Sequence, residues 1–166
     1  MWKKIVKYFD KYPKRKKLAQ KLLEYGLSVK NGKIYCDQIE LSDSKIARAL
    51  KLDRRIVTST IQTIQEKKDL EKIYKRLKPT CHLKFVAEMM NWSVIEIIPK
   101  DPSIPGIIAG VTKIFADGNI SVRQAIVDDY ELSEEPKLFI ITEQPIKGQF
   151  IPKIRNVKGV EAVLIH

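Results

Sequence analysis

Three prolines within seven residues and a glycine directly behind them, Pro99-Lys-Asp-Pro102-Ser-Ile-Pro105-Gly106, constrain this chain more than any other stretch. Proline lacks an amide hydrogen and fixes φ, so no strand ladder or helix runs through such a segment, and Gly106 allows the backbone to turn. Ahead of it, Val94 to Ile98 is an apolar, β-branched run too short for a helix, which predicts a buried strand. Behind it, Ile107, Ile108, Val111, Ile114 and Phe115 fall on one helical stripe that Asp117-Gly118 closes. The unit is therefore strand, turn, helix, turn, with a second strand at Ile120 to Asp128. A helix that starts directly after a Pro-Gly turn has unpaired first amides, which can hold a carboxylate or carbonyl.

The elements that follow extend this order. Lys137 to Glu143 reads as a third strand after the polar segment 129–136, Gln149 to Arg155 as a short helix with Phe150, Ile151 and Ile154 on one side, and Val160 to Ile165 as a last strand. Asp101-Pro-Ser-Ile-Pro-Gly106, the helix from Ile107 to Phe115, and Gly118-Asn119-Ile120 together resemble the ACT domain, a ferredoxin-like βαββαβ module that binds amino acids and similar metabolites. The resemblance covers residues 93–166. It implies a ligand site where the first strand's turn meets an adjoining subunit: Asp101, Ser103, Ile104 and Gly106, with Asn119 after the helix. Gly106 and Ile107 would give amides to a carboxylate, Asp101 would accept from an ammonium group, and Asn119 would bridge both. The competing view of Asn119, preferred for a lone Asn after Gly, is a turn residue that satisfies its own backbone. Helices on one face would leave the other face of the sheet uncovered. Ala125 and Val127 are expected to make it partly apolar and to favour a homodimer or higher homo-oligomer.

Charge divides the chain more sharply than hydrophobicity does. Residues 1–92 hold 23 Lys+Arg against 10 Asp+Glu, a net of +13, whereas residues 93–166 hold 8 against 10, a net of −2. A basic half ahead of a near-neutral one points to a different partner for each. In the basic half, Met1 to Tyr12 reads as an amphipathic helix ended by Pro13, and Lys14 to Tyr25 as a second, stopped by Gly26. Asn31-Gly32 predicts a hairpin between Leu27 to Lys30 and Lys33 to Cys36.

The informative part of this half runs from Leu41 to Gln65. Ser42 or Asp43 can cap a helix carrying Ile46, Ala47 and Leu50, and Asp53 can cap the next, whose apolar positions are Val57, Ile61 and Ile64. Ile46-Ala47-x-x-Leu50-x-Leu52-Asp53-x-x-x-Val57-x-x-x-Ile61 resembles the helix-turn-helix of transcription regulators, departing from it at Lys51, where many such motifs have Gly. The second helix would present Arg54, Arg55, Thr58, Ser59 and Gln62 on its free side, with Lys45 on the first. Arg pairs bidentately with guanine, Gln with adenine, and Ser or Thr with phosphate or a base edge, so duplex DNA is the expected partner. Each of these is also an ordinary surface residue, and two-helix hairpins are common packing units.

Other constellations carry little. Cys36 and Cys81 are far apart with no CxxC, which argues against a disulfide framework or zinc site and for small buried side chains. Cys81-His82 has no orienting acid, and neither a phosphate-cradling Gly loop nor a nucleophile elbow is present. No catalytic residue, metal ligand or cofactor is therefore expected. The chain has no apolar run of membrane-spanning length and no signal-peptide pattern, so no membrane partner and a cytoplasmic location are expected.

The fold class is α+β: a mostly helical, basic helix-turn-helix domain over 1–78, a helical linker over 79–92, and an ACT-like domain over 93–166. The pairing of modules looks like that of archaeal proteins predicted to regulate amino-acid metabolism. It implies an amino-acid-responsive, DNA-binding transcriptional regulator. The alternative is a regulatory or assembly subunit of an amino-acid biosynthetic enzyme that does not bind DNA.

Overall fold

A computed structural model describes residues 1–166, which form two compact units, Met1–Cys81 and His82–His166. The whole is a mixed α+β structure with two antiparallel sheets.

In the first unit, α1 (Trp2–Val6), α2 (Pro13–Glu24), β1 (Ser28–Lys30), β2 (Lys33–Cys36), β3 (Ile39–Leu41), α3 (Asp43–Ala49), α4 (Arg54–Glu66) and α5 (Lys68–Tyr74) follow one another. The strands form a three-stranded sheet in the order β1-β2-β3. Val29 faces Ile34 across the Asn31-Gly32 turn as expected, whereas the three residues Ile-Glu-Leu of β3 are too few to carry a strand signal of their own. The first helix is shorter than expected. It ends at Val6, and the chain continues in turns in which Tyr8 and Phe9 amides bond back to Ile5 and Val6 carbonyls, tight enough to bury Phe9 beside Ile5 and Trp2. Helix α4 is the centre of this unit, packing against α2, α3, α5 and β1 through Val57, Thr60, Ile61 and Ile64. Tyr74 is fully buried and donates to the Ala19 carbonyl at 3.0 Å, and burial pushes its phenol well above the usual range.

Gly26 shows why α2 stops where it does. Its φ is +63°, and the Gly26 and Leu27 amides bond to the Leu23 and Leu22 carbonyls, the pattern of a left-handed helix stop. A Cβ at this position would lie 2.3 Å from the Lys78 carbonyl oxygen, so both conformation and space require glycine.

The second unit has β4 (Val94–Pro99), α6 (Ile107–Asp117), β5 (Val122–Val127), β6 (Leu138–Thr142), α7 (Phe150–Arg155) and β7 (Val160–Ile165). The βαββαβ order expected from the sequence forms one antiparallel sheet, β5-β6-β4-β7. Ile95, Ile97, Leu138 and Ile140 on one face pack against Ile107, Val111 and Phe115 of α6 and Phe150 and Ile154 of α7.

The register corrects one expectation. Ala125 pairs with Ile140 and Val127 with Leu138, so both lie on the helix-packed face rather than the uncovered one. They are exposed because β5 is an edge strand that the helices do not reach fully. The opposite face carries Gln124, Ile126, Phe139, Ile141, Val94, Glu96 and Leu164. Residues 79–92, expected to be helical, contain only the 3-10 turns Leu83–Phe85 and Glu88–Met90. Ala87 is fully buried and, with Trp92, packs on Val94, Phe139 and Ile141. The cysteines also depart from expectation: Cys36 is half-buried and Cys81 exposed, because one is the last residue of the short central strand β2 and the other lies in coil.

Candidate nucleic-acid interface and ligand cleft

The turn between α3 and α4 sets the first candidate site. The Lys51 and Leu52 amides bond to the Arg48 and Ala47 carbonyls at 3.2 and 2.8 Å, and Lys51 sits at φ +54°, so a lysine occupies the left-handed position that commonly holds glycine. Asp53 then starts α4, its carboxylate accepting the Arg55 amide at 2.7 Å. Ala47 is buried at the crossing, where a larger side chain would hold the two helices apart. With Val57, Ile61 and Ile64 committed to the core, the opposite side of α4 is left for solvent.

That side carries every α4 residue singled out in the sequence. Asp53, Arg54, Arg55, Thr58, Ser59 and Gln62 line one shallow concavity of about 440 Å3. Arg54, Arg55, Thr58 and Gln62 are exposed and Ser59 half-buried. The Thr58 hydroxyl donates to the Arg54 carbonyl at 3.3 Å, the Ser59 hydroxyl to Ile56 at 3.1 Å, and the Gln62 amide to Glu66 at 2.9 Å. Neither arginine has a carboxylate within ion-pair distance. Lys45 is exposed on α3 but does not line this concavity.

The second candidate site lies at the β4–α6 turn. Gly106 caps α6 with φ +97° and no side-chain partner, and the helical ladder begins with the Gly110 amide on the Gly106 carbonyl at 2.9 Å. A small apolar cleft of about 80 Å3 opens beside it, walled by Ile97, Pro99, Pro102, Ile104, Ile107, Ile108, Val127, Asp128, Pro136, Lys137 and Leu138. A wider, open concavity of about 560 Å3 shares Pro99, Pro102, Pro136 and Lys137 with it and adds Ile98, Tyr130, Ser133, Glu134 and Glu135.

The predicted ligand residues divide into three groups. Ile104 and Ile107 line the apolar cleft next to Gly106. Asp101 and Ser103 lie on the same turn but engage each other: the Asp101 carboxylate accepts the Ser103 hydroxyl at 2.7 Å and the Ser103 amide at 2.8 Å, which hold it below its ordinary range. Asn119 stands at the far end of α6, about 16 Å along an eleven-residue helix. It adopts φ +53° there, and its amide and that of Ile120 bond to the Ala116 and Phe115 carbonyls, so its backbone forms the helix stop.

Two features escaped sequence reading. The 128–137 segment is a wall of both concavities, although its acidic residues suggested only a solvated loop; Pro136-Lys137 at the mouth of a strand was the available signal. Glu96 was the other. It interrupts the apolar run Val-Ile-Glu-Ile-Ile and is only 4 % exposed. Lys84 pairs with it, Lys137 at 3.2 Å and His166 at 3.1 Å converge on it, and the Lys84 ammonium also lies 4.9 Å from the Phe139 ring. Burial alone would raise the Glu96 carboxyl, but hydrogen bonds and charge from Lys84 and Lys137 outweigh it and hold it below its ordinary value. His82 has a local role, its Nδ1 accepting the Lys84 amide at 3.3 Å and its ring meeting Phe139 edge-on. No group of three or more His, Cys, Asp or Glu side chains is arranged to hold a metal ion, and no helix is long and apolar enough to cross a membrane.

No family model and no curated protein sequence matches the chain. Among solved structures, the ACT domain of a GTP pyrophosphokinase from Chlorobium tepidum is similar at 17 % identity and a TM-score of 0.33, covering 45 % of this chain and 96 % of that one. The regulatory subunit of aspartate kinase from Thermus thermophilus is similar at 20 % identity and a TM-score of 0.32, over 46 % of this chain and 51 % of that one. An AsnC-family transcriptional regulator from Agrobacterium tumefaciens is similar at 12 % identity and a TM-score of 0.31, over 92 % of this chain and 86 % of that one. These are regulators and regulatory domains, but likeness at that level fixes neither fold nor function, which rest on the residues of this chain.

Proposed function

We propose that the chain is an amino-acid-responsive, DNA-binding transcriptional regulator, with a helix-turn-helix in the first unit and an ACT-like sensor in the second. The observation that carries this reading is the exposed face of α4. Two unneutralised arginines, a threonine, a serine and a glutamine share one shallow concavity in the half of the chain with a net charge of +13. A helix of thirteen residues enters a major groove about 12 Å wide, where Arg and Gln read base edges and hydroxyls hold phosphate.

In the sensor, the β4–α6 turn supplies polar contacts from the backbone, and the cleft of Ile104, Ile107 and Ile108 takes an apolar side chain. Asp101, Ser103 and Gly106 act there in a homodimer, in which a ligand at the subunit interface stabilises one arrangement and changes the spacing of the two α4 helices. The ligand shifts that equilibrium only by its preference for one arrangement.

The test is duplex-DNA affinity across salt, with and without a panel of amino acids. Steeply salt-dependent binding that weakens in Arg54→Ala and Arg55→Ala and changes with one amino acid is the expected result. Absence of duplex binding at low salt overturns it. The competing subunit reading draws on Phe85 and Met89, which are 79 % and 85 % exposed, as apolar contacts for a protein partner. Co-purification of a biosynthetic enzyme, with no DNA affinity, would favour it.

A further inference from the structure

The basic residues of the first unit are not confined to α4. Helix α2 opens Pro13-Lys14-Arg15-Lys16-Lys17, with no acidic residue in its first turn. Four cations at the positive end of a helix dipole are unfavourable, and none of them has a carboxylate within ion-pair distance. Two of them reach the α3–α4 motif. The Lys17 ammonium approaches the Leu50 carbonyl at 3.4 Å, at the turn ahead of α4, and the Arg15 guanidinium approaches the Thr63 hydroxyl at 3.5 Å, on the α4 residue that follows Gln62. The Arg15 guanidinium also lies 4.4 Å from the centre of the Tyr12 ring, a cation–π contact. Both contacts are long and use one donor each, leaving four N–H groups on Arg15 and two on Lys17 for another acceptor. Exposed Lys51 extends the row at the turn.

We propose that Arg15 and Lys17, with Lys14 and Lys51 beside them, form a phosphate-gripping flank of the DNA interface, built on α2 and the turn rather than on α4. The proposal rests on the DNA-binding reading above and adds a division of labour: α4 reads base edges, while this flank neutralises backbone charge and fixes how α4 enters the groove. Duplex DNA is the occupant that the charge favours, because an unpaired cationic row gains affinity by releasing the counterions condensed on a polyanion.

The test uses the full chain and a 30-base-pair duplex of mixed sequence, with binding followed from low to moderate salt. Arg15→Gln with Lys17→Gln is expected to reduce the slope of log affinity against log salt by about 2, at 0.9 per lost phosphate contact, and to weaken all duplex sequences alike. Arg15→Lys, which keeps the charge, is expected to restore about half of that loss when combined with Lys17→Gln. An unchanged thermal transition in the double variant ties the effect to the interface. If the wild type binds and Arg54→Ala weakens it while the double variant keeps the full slope, the flank is wrong and the reading of α4 stands. If the wild type shows no salt-dependent duplex binding, both fail together. Weakening of some sequences only would assign Arg15 and Lys17 to base reading and overturn the flank.

Discussion

The two units treat charge in opposite ways. In Met1–Cys81 the cations of the first turn of α2 and of α4 have no carboxylate within ion-pair distance, whereas in His82–His166 Lys84, Lys137 and His166 are drawn onto one carboxylate that the sheet buries. Surface repulsion in the first unit is tolerated because its core, from Leu18 and Leu22 to Ile61 and Tyr74, is buried and apolar and does not depend on those charges. In the second unit, charge belongs to the architecture. Glu96 stands on the face opposite the helices, and its partners come from the 82–92 segment, the start of β6 and the chain end, so one carboxylate ties three segments to the sheet. Cations left without partners remain available to a polyanion; cations gathered on a buried acid do not.

The largest test of that contrast is Glu96→Gln. It leaves two ammonium groups facing a neutral amide and is expected to cost about 2–3 kcal/mol in denaturant unfolding, the scale of hydrogen bonds to a charged group. The same carboxylate sets an acid dependence. Its folded value lies below the ordinary 4.5, so its stabilisation is fully present above that pH and is lost as pH falls through the folded value. Wild-type stability should therefore decline below about pH 4.5 more steeply than that of Glu96→Gln. Parallel pH profiles would remove Glu96 from the architecture of the unit.

How much of this was legible depends on whether neighbours in sequence or in space decide the matter. The apolar spacing Val57, Ile61, Ile64 fixes which side of α4 is buried, so the free residues Arg54, Arg55, Thr58 and Gln62 could be read directly. The Pro-Gly bend and the βαββαβ order were equally local. Register was not: alternation along β5 shows that Ala125 and Val127 share a face but not which one, and only their pairing with Ile140 and Leu138 places them on the helix side. Nor could spacing show that Asp101 would spend its carboxylate on Ser103, that the 128–137 segment would wall the cleft, or that Lys84, Lys137 and His166 would meet across 82 residues of chain. Glu96 within an apolar run was a visible sign that some partner existed, but not which.

A smaller effect is expected where the first unit does use a carboxylate. Asp53 caps α4 through the Arg55 amide, so Asp53→Ala should cost about 1 kcal/mol of thermal or denaturant stability. It also removes the only acid lining the α4 concavity, so binding to duplex DNA should strengthen or hold even as stability falls. A parallel loss of both would mean that the cap, rather than the charge, governs the surface.

Next in size is the turn. Lys51 at φ +54° bears a Cβ in a conformation that glycine adopts without penalty, and Lys51→Gly should raise stability by about 0.5–1 kcal/mol. Asn119, at φ +53° in the same kind of helix stop, tolerates the left-handed region better, and Asn119→Gly should change stability less. The gain at Lys51 should be accompanied by weaker duplex binding, since the retained lysine adds a cation to the flank.

The smallest expected effect bears most directly on the contrast between the units. Arg54→Gln with Arg55→Gln removes two exposed charges that touch no carboxylate and fill no core position, so stability should change by no more than about 0.5 kcal/mol. Relief of repulsion favours a small gain over a loss, and the shift should shrink as added salt screens the charges. A clear loss of stability in a urea titration would show that these arginines hold the unit together. The unpaired charge of α4 would then be structural, as at Glu96, and the case for a polyanionic partner would fall with it.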